Sequence, residues 1–184
     1  MTVIVGSIDR DARCMWMGSD ALLSGDDDTY VSRNHKVFRK GGFLFGHTGS
    51  LRANQLIRYG SGMPRITAAR KKDLMQFMCN HVVRHMIDLL NKGGWGNSDN
   101  GYLETDDNFM VMVGGRLFVV WSDFQVFEPE QDFFAIGSGA RISLGSMVAS
   151  EGMAEEDRVD LAIEAASVFS GSVGGERMIL SKAY

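Results

Sequence analysis

TVIVGSI (residues 2–8) and CMWMGS (residues 14–19) are two short β-favouring runs parted by the polar stretch Asp9 to Arg13, a pattern that predicts a hairpin at the head of the chain. A second hairpin is predicted for His35 to Arg39 and Phe43 to His47. The glycine pair Gly41 and Gly42 between them supplies the positive φ of a tight two-residue turn. Lys36 falls near the start of this hairpin's first strand.

Beyond Ser50, an acceptable N-cap, Leu51 to Tyr59 loses strand alternation and predicts a helix stopped by Gly60. A stronger helix is predicted over about residues 71 to 91. There Leu74, Met75, Met78, Val82, Met86, Leu89 and Leu90 recur at three- and four-residue spacing before Gly93 and Gly94. Residues 108 to 137 return to β character in four short apolar runs, which predict a meander of four consecutive strands. Ala140 to Ser150 and Glu155 to Ser170 read as helices, the second with Val159, Ile163, Ala166 and either Phe169 or Ser170 on one face. Met178 to Leu180 is a last apolar run. Blocks of strands alternating with blocks of helices point to antiparallel sheets covered by helices, not to an alternating parallel fold. Periodicity leaves open whether the strand blocks share one sheet or form two.

A chain of 184 residues, 45% hydrophobic, is long enough to bury a core without staples, and with two prolines it offers no linker; one domain over residues 1–184 is expected. The net charge of -4 gives no global support for docking on nucleic acid or an anionic membrane. Trp16, Trp95 and Trp121 form no base-stacking array. There is no signal-peptide pattern and no run of 18 apolar residues, so a cytoplasmic protein is expected, where Cys14 and Cys79 would stay reduced as small buried hydrophobes. Asp26, Asp27 and Asp28 read as a solvated loop. His81 and His85, four apart, lack a third ligand, so neither metal nor cofactor is expected. The twelve methionines fit a plastic core or a subunit interface.

MTVIVGSI at 1–8, GSD at 18–20, HKVF at 35–38, FLFGHTG at 43–49, VMVGG at 111–115 and FAIGSG at 134–139 occur in the order and spacing of proteasome β-type subunits. The chain resembles that family, and especially its HslV type, over nearly its whole length. The resemblance implies a four-layer αββα sandwich, two antiparallel sheets between helix layers. It also implies a threonine-type N-terminal-nucleophile peptidase that cuts polypeptide through an acyl ester on Thr2. Met1 is expected to be removed, with no propeptide ahead of it, because hydroxyl and proton-accepting amine must then sit on one residue.

The resemblance further implies roles for Asp20 and Lys36 beside Thr2, for the Gly46 N–H as oxyanion donor, and for Ser138 as a partner of the Thr2 amine. Leu44 and Thr48 share the Gly46 face and would line the substrate pocket. Gly46 can also be read as a packing glycine, and Ser138 as a helix cap. The family's next members, an aspartate and a serine three residues on, fall on Ser167 and Ser170, or the aspartate falls on Ser170; both registers lack the carboxylate. That absence admits two alternatives on the same fold, an inactive structural or assembly protein and a small-molecule amidase. Implied partners are a homo-oligomeric ring and a separate ATP-driven unfoldase, since this chain has no P-loop.

Overall fold

The computed structural model describes residues 2–24, 28–96 and 104–184. The opening hairpin forms as its sequence predicts: β1 (Val3–Asp9) pairs antiparallel with β2 (Cys14–Ser19), from Ile4↔Ser19 to Asp9↔Cys14. The Asp9 carboxylate closes the turn by accepting the Ala12 N–H at 2.7 Å. Short strands β3 (Leu22–Ser24) and β4 (Thr29–Val31) pair with each other. Of the acidic run between them, Asp26 and Asp27 lie outside the described residues, and Asp28 is exposed.

In the second hairpin β5 (Val37–Lys40) and β6 (Phe43–Thr48) close on the pair Lys40↔Phe43. Only Gly41 takes a positive φ, +59°, so the turn demands one glycine and not two. β6 continues the sheet to β7 (Asn108–Val113), β8 (Arg116–Val120) and β9 (Val126–Phe127). The meander ends there. β10 (Phe133–Gly137), expected as its fourth strand, crosses to the other sheet and pairs with β1. Pro129 has no N–H with which to continue a ladder. The Ile8 N–H to Asp132 C=O bond (2.8 Å) and the Arg10–Asp132 ion pair then hold the segment against β1. With β11 (Met178–Ala183) the second sheet has the order β10-β1-β2-β11.

The helices are α1 (Leu51–Tyr59), α2 (Ala68–Lys71), α3 (Leu74–Phe77), α4 (Arg84–Lys92), α5 (Ala140–Ala149) and α6 (Glu155–Phe169). Ser50 caps α1 as expected, accepting the Arg52 N–H at 3.1 Å. The long predicted helix starts at Asp73, whose carboxylate accepts the Gln76 N–H (2.8 Å), and a π-helical stretch, Met78–Val83, joins α3 to α4. Cys79 sits exposed on that stretch and Cys14 is half-buried, so neither is the buried hydrophobe expected.

Three cores separate four layers. Phe43, Phe45, Phe109 and Phe118 pack against Ile57, Phe77, Met86 and Leu90 from α1, α3 and α4. Ile4, Met15, Met17, Leu44, Met110, Met112 and Ile136 fill the space between the sheets, where methionine's flexible side chain suits an irregular gap. Val3, Val5 and Ala135 pack on Met147, Val159, Ala162, Ile163 and Ala166 from α5 and α6. Phe169 lies outside that face, 78% exposed. Neighbouring strand residues point to opposite faces, so the run Val3-Ile4-Val5 is apolar throughout because both faces of its sheet are covered. The order helix, sheet, sheet, helix is the αββα sandwich. No helix among the described residues is long and apolar enough to cross a membrane.

Candidate functional site

Thr2 immediately precedes β1, Asp20 immediately follows β2 and Lys36 immediately precedes β5, so the two predicted hairpins bring all three together. All are buried. The Lys36 ammonium donates to the Thr2 hydroxyl oxygen, to Asp20 Oδ1 at 2.8 Å and to the Leu22 carbonyl at 2.6 Å, which uses its three protons. The Thr2 hydroxyl in turn donates to Asp20 Oδ1. Main-chain N–H groups complete the carboxylate's shell: Val3 to Oδ1 at 3.1 Å, and Leu22 and Gly174 to Oδ2 at 3.2 Å each.

Burial pushes the Lys36 pKa below its ordinary value, and the charge and hydrogen bond of Asp20 oppose that push. A hydroxyl that accepts from an ammonium while donating to a carboxylate is polarised toward the alkoxide, which is the electronic requirement of a nucleophile.

On the other side of Thr2 lies a chain of hydroxyls. The Thr2 N–H donates to Ser138 Oγ at 3.2 Å, and the Ser138 hydroxyl donates to the Thr2 carbonyl at 3.2 Å. Ser138 Oγ is also 3.0 Å from Ser172 Oγ, which is 3.0 Å from Ser170 Oγ. Each hydroxyl has one proton, and that of Ser138 is spent on Thr2, so Ser172 must donate to Ser138 and Ser170 to Ser172. Ser138 is therefore not a helix cap; Gly139 is the N-cap of α5. Ser167, half-buried, donates within its own helix to the Glu164 carbonyl at 2.7 Å. Ser170, which both registers contain, reaches the site, and Ser167 does not.

Gly137 allows the close approach: at φ +99°, a Cβ there would lie 2.3 Å from the Thr2 carbonyl oxygen. Gly46 faces the inter-sheet core, where a Cβ would come within 2.4 Å of Ile4 Cγ2. Its structural requirement is thus packing. The His47 N–H donates to the Lys36 carbonyl (3.1 Å), so ladder alternation directs the Gly46 N–H toward its partner Met110 on β7. Leu44 is fully buried in the same core and lines no open pocket, whereas the Thr48 methyl lies beside Gly137.

Sequence reasoning missed Ser172, the Leu22 carbonyl and the Gly174 N–H. The only trace of the first was a second small-residue turn, SGS at 170–172, that resembles GSG at 137–139. No group of three or more potential metal-ligating side chains occurs among the described residues.

Two facing antiparallel sheets between helix layers, with a threonine at the head of a central strand, define the class: a four-layer αββα protein of the proteasome-subunit-like type. No protein-family model matches the chain, and no curated protein matches it. Solved structures do. The chain is similar to Thiobacillus denitrificans BPH, at 19% identity and TM-score 0.71 over 100% of this chain and 98% of that one. It is similar to the eukaryotic HslV of Trypanosoma brucei, at 18% identity and TM-score 0.69 over 100% of both chains. It also matches an Anbu Gly-1 mutant from Hyphomicrobium sp. strain MC1, at 16% identity and TM-score 0.65 over 100% of this chain and 82% of that one. The chain has the fold shared by HslV and these proteasome-like proteins.

Proposed function

We propose that the chain is an N-terminal-nucleophile hydrolase of the threonine-peptidase kind. One observation carries this reading: the Thr2 hydroxyl bridges the Lys36 ammonium and the Asp20 carboxylate. Removal of Met1 frees the Thr2 amine, whose unperturbed pKa of about 7.7–8.0 leaves a neutral fraction near pH 7 to act as base. Thr2 Oγ attacks the peptide carbonyl carbon while its proton passes to that amine. Lys36 stabilises the forming alkoxide, and Asp20 keeps Lys36 charged.

Gly46 is the proposed donor to the oxyanion; its N–H must then turn from Met110 toward the acyl oxygen, a rotation glycine permits most easily. Collapse of the tetrahedral centre breaks the C–N bond, the leaving amine takes the proton from the Thr2 ammonium, and an ester remains on Thr2. Water, deprotonated by the same amine, hydrolyses it and returns the hydroxyl. Ser138, backed by Ser172 and Ser170, orients the amine, and Thr48 contacts the substrate; Leu44, closed off in the core, would act only through its packing.

By the same reading the protein works in the cytoplasm as a homo-oligomeric ring on polypeptide supplied by a separate ATP-dependent unfoldase. The neutral run Ser138-Ser172-Ser170, where the resemblance expects a carboxylate, favours one alternative, a silent assembly subunit of the same fold. Intact-mass measurement of the purified protein with a fluorogenic-peptide assay of it and of Thr2→Ala separates the two. The peptidase loses Met1 and shows cleavage that Thr2→Ala abolishes; the scaffold does not.

A further inference from the structure

His47 and Asp107 form a buried pair that the chemistry above leaves unused. Asp107, 1% exposed, immediately precedes β7. Its Oδ1 lies 2.9 Å from His47 Nε2 and accepts the Ser50 N–H at 2.7 Å; its Oδ2 accepts the Trp95 indole N–H at 2.6 Å. These donors belong to three elements. His47 is in β6 between Gly46 and Thr48, Ser50 caps α1, and Trp95 follows α4.

The carboxylate also shapes the turn between them. Gly49 runs at φ +116°, and a Cβ there would come within 2.3 Å of Asp107 Oδ1, so no larger residue fits. The next residue of β7, Asn108, pairs with Thr48. Thr48 in turn lies beside Gly137, against which the Thr2 carbonyl packs. His47 points away from the inter-sheet face and packs on Phe109, with ring centroids 4.7 Å apart and the rings tilted by 46°. Asp107 thus grips β6 from the helix side at the residue between Gly46, which packs on Ile4 two residues after Thr2, and Thr48, which lies beside the Gly137 that the Thr2 carbonyl packs against.

We propose that Asp107 is a positioning residue for the Thr2 site: its carboxylate fixes the end of β6, and with it the Gly46 main chain and the Thr48 side chain, relative to Thr2. The assignment rests on the peptidase reading for its catalytic consequence and on the geometry alone for its structural one. A carboxylate is required because three donors converge on two oxygens. An asparagine offers one acceptor, and turning that oxygen to His47 and Ser50 sets its amide against the Trp95 N–H. A phenylalanine at 95 removes that opposing donor.

The experiment compares the parent with Asp107→Asn, Trp95→Phe and the double variant. Readouts are kcat and KM on a fluorogenic peptide, thermal unfolding, and hydrogen exchange of the amides at 46–51 against those at 3–8. Asp107→Asn should lower kcat about ten- to a hundredfold with KM nearly unchanged, as expected of misplacement by a fraction of an ångström. Exchange should quicken at 46–51 only, and Trp95→Phe should restore both readouts in the double variant. Unchanged kcat for Asp107→Asn in a protein whose cleavage needs Thr2 overturns the proposal, as does uniform loss of protection or no rescue. If the parent shows no Thr2-dependent cleavage, the peptidase reading fails, and the exchange pattern and its rescue decide the positioning role by themselves.

Discussion

The hydroxyl of Ser172 lies 3.0 Å from that of Ser138, the acceptor of the Thr2 main-chain N–H. Thr2 is thereby reached through neutral groups in a fixed donor order, from Ser170 to Ser172 to Ser138.

A carboxylate at position 170 has no proton to give, so it reverses that order. Ser172 then donates to it and Ser138 to Ser172, which leaves Ser138 and the new charge free to favour the Thr2 ammonium. Ser170→Asp should move the acid limb of the kcat/KM profile to higher pH, whereas Ser172→Ala should lower kcat about two- to tenfold, the worth of one hydrogen bond. Full pH–rate profiles of both variants check this; an unmoved limb in Ser170→Asp counts against the relay.

Lys36→Met strands the Asp20 carboxylate in the interior. The loss of stability should be about 3–5 kcal/mol, measured by urea unfolding. Asp20→Asn added to Lys36→Met should recover part of it, since no unpaired charge then remains.

Burial lowers the Lys36 pKa in the folded state, only partly countered by Asp20, so between that lowered value and the ordinary lysine value of 10.5 the unfolded chain holds more protons. This penalty is full below the folded pKa and gone above 10.5, and stability therefore rises with pH through the window. Asp107 acts at the other end. Burial alone would raise its pKa, but bonds from His47, Trp95 and Ser50 together outweigh burial and hold it below 3.8. Its contribution is present above 3.8 and lost as pH falls through the folded value. Denaturation series at stepped pH should show the alkaline rise flattened in Lys36→Met and the acid fall reduced in Asp107→Asn.

Gly46→Ala forces a methyl to within 2.4 Å of Ile4 Cγ2 between the sheets. Overpacking of this kind costs about 1–3 kcal/mol. A lower urea midpoint with an unchanged m-value is the expected result, and an undiminished midpoint would show that the sheets can part to accommodate it.

Turn chemistry made both opening hairpins legible, because each depends on residues near in sequence, whereas the meeting of Thr2 and Asp20 with Lys36 joins two sheets and was expected only from the family resemblance. The crossing of β10 was not legible. Its alternation suits either sheet, and the choice lies in contacts with Ile8 and Arg10, far back along the chain. Ser172 escaped notice because helix periodicity carries no information beyond the last turn of α6. Asp107 reads as an ordinary loop acid until His47, Ser50 and Trp95 converge on it. Cys79 was expected inside because free cysteine is commonly a small buried hydrophobe, yet the face of the helical run it occupies is the outer one.

Because β1 is an inner strand of its sheet, Thr2 at its start is clamped by segments that come more than a hundred residues later, at 133–137 and 172–174. Ser138, Ser172 and the Gly174 N–H must all be synthesised and docked before Thr2 and Asp20 are fully dressed. A truncated chain that keeps Thr2 but lacks these segments therefore lacks the groups that hold it in place. On the proposed function, the last segments to dock would then be the ones that switch the site on.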